Sequence, residues 1–318
     1  MPRRIHHMEF DEVSGKAIIQ RRNVITTMRH TTVKCKFCGD WESVVQYGKS
    51  AKGGQRYLCQ KCRRTFMNNK APERMRYPAE VIAAALNLFY ESASLYEIQR
   101  QLKLSYGVSP HISNIYRWIT RYTKAATRML GTQKINVGST WIADETVLKL
   151  KSNKGENTWF WDIIDDKTKF LLASHMTKSR TTSAAESLMR KAENRTNTIP
   201  KTVVTDKLQA YLDAIEKTWG ADTEHVQSSP FIRGKNEDST RAIERFHGTL
   251  KDRTKVMRAL ADKETAQVIL EGWLIHYNFF RPHMGLKDLP PKGQDKTPAE
   301  VANVKSDIKS WLDVVNHD

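Results

Sequence analysis

The sequence predicts an α/β protein, with a mixed-sheet body preceded by two small modules. Three observations predict it. After Ser139 the apolar pattern changes from helical spacing to three consecutive strands, followed by alternating helix and strand. All four cysteines fall in one short segment as two Cys-x-x-Cys pairs. Between that segment and the body lie three helical patterns separated by a cap and a turn.

At 318 residues the chain can hold two or three domains and bury a sizeable core. Its 52 Lys+Arg against 35 Asp+Glu give a formal charge of +17. The charge is concentrated at the front. Residues 1–76 carry 17 basic and 6 acidic side chains, 77–131 carry 6 and 3, and the rest is close to balance. A basic front end on a nearly neutral body is the footprint of a polyanion partner; a basic surface kept for solubility is the bland alternative. No apolar run approaches the ~20 residues of a membrane span. The opening Met1-Pro2-Arg3-Arg4 leads into charged sequence. Neither membrane insertion nor secretion is therefore expected.

The first 30 residues read as a basic N-terminal segment. Residues 31–70 hold Cys35-Lys36-Phe37-Cys38 and, after twenty residues, Cys59-Gln60-Lys61-Cys62. Each pair turns two thiolates the same way, and two pairs complete a tetrahedral sulfur cage suited to structural Zn²⁺. Two disulfides are the alternative, disfavoured in a reducing cytoplasm. Lys34, Lys36, Lys61, Arg63 and Arg64 surround this zinc ribbon with charge that suits phosphate contact or simple solvation.

Residues 77–130 predict three helices. Ala79–Glu91 has apolar residues at helical spacing, Ser94-Leu95-Tyr96-Glu97 is a capping box, and Gly107 permits a turn. Ser109-Pro110 then opens a third helix through Ile112, Ile115, Trp118 and Ile119. The pattern fits a helix-turn-helix, or else a plain three-helix bundle. In the first case His111, Ser113, Asn114, Arg117 and Arg121, opposite the apolar stripe, face DNA.

In the body, strands are predicted at Thr140–Leu150, Thr158–Ile164 and Lys169–Met176, with Asp165-Asp166-Lys167 turning between the last two. A helix at Ser183–Glu193, a strand at Lys201–Thr205 and a helix at Leu208–Trp219 follow. Asp144 lies inside the first strand, where a carboxylate is costly unless a charge or metal compensates it. Alternation places Ile142, Asp144, Thr146 and Leu148 on one face and turns Glu145 away. Asp206 ends the strand Lys201–Thr205, where α/β sheets expose ligand-binding groups. Glu244 sits on a helix whose apolar stripe is Ile243, Phe246, Leu250 and Met257. Beside that stripe run Glu244, His247, Lys251, Lys255 and Arg258. Lys251 is in line with Glu244 because two turns span about seven residues. A metal-binding glutamate followed by phosphate-binding cations is one reading of this face, and a surface ion-pair helix is the other. Tyr277 and Arg281, in an aromatic-rich helix end, are read as packing and DNA-edge groups, and His247 and His283 as packing or phosphate contacts.

These segments resemble one family. Trp141-Ile142-Ala143-Asp144-Glu145-Thr146, Val204-Thr205-Asp206, Ile243–Lys251, Tyr277–His283 and Thr297-Pro298-Ala299-Glu300 are similar to those of DDE-type insertion-sequence transposases. The nearest group is the archaeal and bacterial one typified by insertion sequence six. The resemblance covers most of a catalytic domain at 139–303, followed by a C-terminal helix at 304–318. It implies an RNase H-like core, Asp144, Asp206 and Glu244 as the metal-binding triad, and Lys251 as a basic companion. It also implies two Mg²⁺ (or Mn²⁺) ions, double-stranded DNA as partner at both element ends and target, and a homodimer or higher oligomer. A prokaryotic, archaeal, nucleoid-associated cytoplasmic protein is implied as well. The 37 residues between Asp206 and Glu244 slightly exceed the family's usual spacing, which leaves Glu237 and Asp238 as weaker alternatives.

The expected chemistry is attack of water at an element end, freeing a 3′-hydroxyl that then attacks target DNA. A DNA-binding regulator would need the two front modules but not three convergent carboxylates. A nuclease of the same core would need the carboxylates but no separate end-reading module.

Overall fold

The computed structural model describes residues 8–11, 16–21, 24–29, 32–50, 53–68, 71–72, 75–150, 157–228, 241–256, 262–289 and 292–318. They fall into two compact units, Met1–Pro78 and Ala79–Asp318.

The first unit opens with an antiparallel meander, β1 (Met8–Asp11), β2 (Lys16–Arg21) and β3 (Val24–Arg29). In sequence this stretch reads only as a basic segment. Its Ile and Val/Thr content suits extended backbone, as in Lys16-Ala17-Ile18-Ile19 and Val24-Ile25-Thr26-Thr27. A second antiparallel sheet follows, β4 (Val44–Lys49), β5 (Gln55–Cys59) and β6 (Thr65–Met67). Its small core is Cys35, Val44, Cys59 and Phe66, with Phe66 stacked on Tyr57 and edge-on to Phe37. So few apolar residues leave little hydrophobic stabilisation, and a domain of this size needs a further tie.

The second unit begins with α1 (Ala79–Tyr90), α2 (Leu95–Tyr106) and α3 (Ile112–Leu130). The capping box at Ser94 and Glu97 is formed in both directions. Gly107 ends α2 at φ +67°, a left-handed conformation that favours glycine. The third helix starts at Ile112 rather than at Pro110, because His111 is its cap: the ring Nδ1 accepts from the Ser113 backbone N–H at 3.3 Å.

The body follows with β7 (Thr140–Leu148), β8 (Thr158–Asp165), β9 (Leu171–Thr177), α4 (Thr182–Thr196), β10 (Thr202–Thr205), α5 (Gln209–Trp219) and β11 (Glu224–Gln227). These agree with the expected elements to within a few residues, and β11 is an addition. Next come α6 (Arg241–Val256), α7 (Lys263–Ile275) with a π-helical turn at His276–Phe280, α8 (Pro298–Val301) and α9 (Trp311–His317). The C-terminal helix is therefore shorter than the 304–318 expected. Asp165 and Asp166 are hairpin chemistry as read. Asp165 accepts from the backbone of Gly138 and Thr168, and Asp166 pairs with Lys169 at 2.6 Å.

The five strands run in the order β11-β10-β7-β8-β9. β7, β8 and β9 run antiparallel in succession, while β10 is parallel to β7 and β11 to β10. Side chains alternate across the sheet. Trp141 and Glu145 of β7 meet Trp219 and Tyr211 of α5 on one face, whereas Asp144 meets His247 of α6 on the other.

The three helices at the start of this unit share a core with the body. Gly272 of α7 lies where a Cβ would come within 1.9 Å of Tyr90 Oη and 2.7 Å of Thr123 Oγ1, so only glycine lets α7 approach α1 and α3. Trp311 of α9 is fully buried, stacked on Tyr90 and bonded to His276, whose other nitrogen meets Glu91 at 3.0 Å. Arg253 of α6 is buried beneath the α1–α2 turn. Its guanidinium lies 3.7 Å from the Phe89 ring centroid and donates to the Ala93 carbonyl.

Candidate active site

Strand pairing sets the site. Val204 of β10 lies opposite Ile142 of β7, so Asp206, two residues on, comes level with Asp144 at the carboxyl end of the parallel pair. Carboxylate oxygens of Asp144, Glu145 and Asp206 lie within 4.8 Å of one another, all on partly exposed residues. Glu145 is the member that alternation argued against. Its backbone does turn it to the α5 face, as expected. Its longer side chain still reaches back to the strand end, accepting from Tyr211 Oη at 2.8 Å. Burial pushes the Glu145 carboxyl above its ordinary range, the Tyr211 bond opposes this, and the charge of Asp206 adds to it.

Arg180, in the loop between β9 and α4, pairs with Glu145, lies 4.0 Å from Asp206 and stacks over Trp159. A guanidinium beside crowded carboxylates offsets their mutual repulsion. Hard oxygen donors gathered at an open strand end also fit a hard divalent cation.

Glu244 is not in the 4.8 Å cluster. It is exposed on α6, one turn before His247, and shares its exposed face with Lys251 and Lys255. Ile243, Phe246 and Leu250 form the buried stripe as expected. His247, read as a packing or phosphate contact in the row beside that stripe, is only 4% exposed and turned into the sheet. Its Nδ1 lies 3.3 Å from Asp144 Oδ2 and its Nε2 3.1 Å from Oδ2 of Asp162. Burial disfavours a charged imidazole, but bonds to both aspartates and their charges outweigh it, so the ring holds its proton more tightly than usual. Burial drives the Asp162 carboxyl upward, partly opposed by His247.

Of the residues read as facing DNA, His111 and Arg117 are exposed on α3 and Asn114 is half-buried. Arg121 is tied to Asp318 at 2.7 Å, and Arg128 joins the same carboxylate at 3.1 Å. Arg258, Met257, Glu237 and Asp238 lie outside the described residues. Tyr277 packs edge-on to Phe246, and His283 bonds to the Tyr277 carbonyl, both as packing groups.

In the first unit, Cys35, Cys38, Cys59 and Cys62 converge to within 4.8 Å with none in a disulfide. Burial raises the Cys35 thiol, but donation from the Cys38 and Phe37 backbone outweighs it and lowers it to about 7. Burial and the neighbouring thiols push Cys59 up to about 12. Four sulfurs converging in one pocket form a donor set that fits Zn²⁺. This is a zinc-ribbon arrangement.

Three antiparallel strands, two parallel ones beside the first, and acids at their carboxyl ends make the body an RNase H-like core. Residues 138–283 match the family model described as a DDE domain, and that stretch contains Asp144, Asp206, Glu244 and Lys251. The body thus carries a DDE domain similar to the cores of insertion-sequence transposases, which supports polynucleotidyl transfer as its general chemistry.

Among solved structures, the chain is similar to the HTLV-2 integrase catalytic core domain in complex with magnesium. The identity is 15%, the TM-score 0.36, and the match covers 54% of this chain and 98% of that one. It is also similar to a chain of the simian T-cell lymphotropic virus intasome in complex with PP2A regulatory subunit B56 gamma, at 16% identity and TM-score 0.38, covering 71% and 77%. The catalytic core domain of BIV integrase matches at 17% identity and TM-score 0.36, covering 52% and 94%. Among the described residues, no helix is long and apolar enough to cross a membrane.

Proposed function

We propose that this protein is a DNA transposase that binds the ends of a mobile element, cuts there and joins the freed ends to target DNA. The observation that carries the reading is the convergence of Asp144 and Asp206 at one strand end, inside the segment that matches a DDE domain. Asp144 and Asp206 hold two Mg²⁺ (or Mn²⁺) ions, and Glu244 completes the set from α6. When bound, such ions polarise the phosphoryl oxygens and stabilise the attacking and leaving oxygens. Glu145 keeps negative charge at the strand end, and Arg180 limits the repulsion this creates. Lys251 and Lys255, on the exposed face that carries Glu244, hold the phosphates flanking the scissile bond.

Cleavage forms a phosphorus–oxygen bond to water and releases the 3′-oxygen, which takes up a proton. Joining forms a bond from that 3′-oxygen to a target phosphorus and releases the target's own 3′-oxygen. The zinc ribbon, holding Zn²⁺ through its four cysteines, and α3, through His111, Asn114 and Arg117, read the element ends. Arg121 acts there only if its pairing with Asp318 gives way. Two ends must be joined, so a dimer or larger assembly is the working form.

The test is a strand-transfer assay with Mg²⁺ and a duplex bearing the element's termini, comparing wild type with Asp144→Asn, Asp206→Asn and Glu244→Gln. Joined product from wild type alone, with DNA binding intact in all four, is the expected result. Cleavage without joining would reassign the protein as a nuclease, and binding without either as a regulator.

A further inference from the structure

We propose that His247, held by Asp162, is a positioning residue: it fixes the Asp144 carboxylate and ties the helix bearing Glu244 to it. The inference rests on the reading of Asp144, Asp206 and Glu244 as the acids that hold metal.

Asp162 has no reason of packing to be an aspartate. It lies in the apolar run Trp159–Ile164, is fully buried, and its Oδ1 has no hydrogen-bond partner. Such a group is costly to bury and calls for an explanation. It also stands directly opposite Asp144 on the neighbouring strand, where like charges repel. His247 offsets the repulsion and part of the burial cost, since its ring lies between the two carboxylates with one nitrogen toward each, meeting Asp162 at Oδ2 and leaving Oδ1 bare. A ring bonded on one side by a buried carboxylate is fixed in orientation, and the group on its other side inherits that orientation. Here that group is Oδ2 of Asp144.

The same residue connects two elements. Glu244 precedes His247 by one turn on α6, while Asp144 and Asp162 belong to β7 and β8. The bridge therefore sets the height of α6 over the strand end, and with it the reach of Glu244 toward Asp206. Because Nδ1 faces Asp144 and Nε2 faces Asp162, the two bonds can be removed separately. In His247→Asn the amide occupies the place of Nδ1 and keeps the reach to Asp144. In His247→Gln it occupies the place of Nε2 and keeps only the reach to Asp162.

The experiment is Mn²⁺ binding to the full chain, followed by electron paramagnetic resonance, for wild type, His247→Asn, His247→Gln, His247→Leu, Asp162→Leu and Asp144→Asn. Binding to a nonspecific duplex and thermal melting serve as controls of the fold. Positioning predicts that His247→Leu and Asp162→Leu weaken Mn²⁺ binding about 10–100-fold, the range for groups that orient metal ligands. DNA binding should stay within about twofold. His247→Asn should lie closer to wild type than His247→Gln, an order that loss of packing would not produce. If the leucine variants do not fold, this Asn-against-Gln order decides. Folded variants of His247 that bind Mn²⁺ like wild type, while Asp144→Asn does not, overturn the positioning inference alone. Undiminished Mn²⁺ binding by Asp144→Asn overturns the reading of the acids on which it rests.

Discussion

The two clusters able to hold metal are built in opposite ways. The four cysteines come from 28 consecutive residues, Cys35 to Cys62, on two knuckles of one small sheet. They form a closed sulfur set. The acids Asp144, Glu145 and Asp206 come from β7 and the end of β10, 62 residues apart at the extremes, and only the pairing of strands across a whole sheet brings them near one another. They form an open oxygen set at a strand end. The first arrangement suits holding a fold together and the second suits admitting a substrate. A site made by local sequence stands or falls with its own ligands. A site made by topology also depends on residues far from it.

The contrast can be broken most directly at the ligands. Cys59→Ser should cost the ribbon most of the metal-linked folding energy, on the order of 10 kcal/mol. Zinc content and protease resistance of residues 32–68 should fall together, while α1 to α9 melt as before. Asp206→Asn should do the reverse: strand transfer falls to background with the melting temperature nearly unchanged. If Asp206→Asn unfolds the body, the acids are structural and the contrast fails.

Remote residues sharpen the comparison. Gly272→Ala forces a Cβ against Tyr90 and Thr123, and overpacking of this kind costs about 1–3 kcal/mol. The body's denaturation midpoint should drop and the metal requirement of strand transfer should rise, with zinc content unmoved.

His175 gives a smaller effect tied to pH. It is buried against Trp161 with neither ring nitrogen hydrogen-bonded, and burial together with Lys191 and Lys263 lowers it to about 4. A histidine depressed in the folded state binds protons better when unfolded, so stability falls as pH drops below about 6.5. Through His175 alone the body should lose about 2 kcal/mol between pH 7.5 and 5, against opposite contributions from the raised Asp162 and His247. His175→Phe should remove that share, read as the difference between the two proteins' urea titrations across this range. An unchanged slope would mean the ring is already protonated in the fold.

Much of this was legible in the sequence, for reasons that differ by region. The cysteine site declares itself because spacing alone encodes a knuckle. Asp144 was visible as a carboxylate inside an apolar strand, and Asp206 as the last word of another. Asp162 satisfies the same criterion, a carboxylate within the apolar run Trp159–Ile164. Glu145 was lost because alternation describes where a backbone aims, while a glutamate is long enough to bend around a strand end. Periodicity showed that His247 lay near the apolar stripe of α6. Its role depends on which strand lies beneath, and helical spacing does not encode that. Arg180 sits in a loop with no pattern of its own. The β1–β3 meander was masked by its high charge.

One feature bears on how the molecule transmits force. α6 is pinned to the sheet by His247 and, about a turn and a half further on, to the α1–α2 turn by Arg253. A rod fixed at two points acts as a lever. Any torque applied to the helices on one side must either be absorbed by the Arg253–Phe89 contact or tilt the glutamate at the other end.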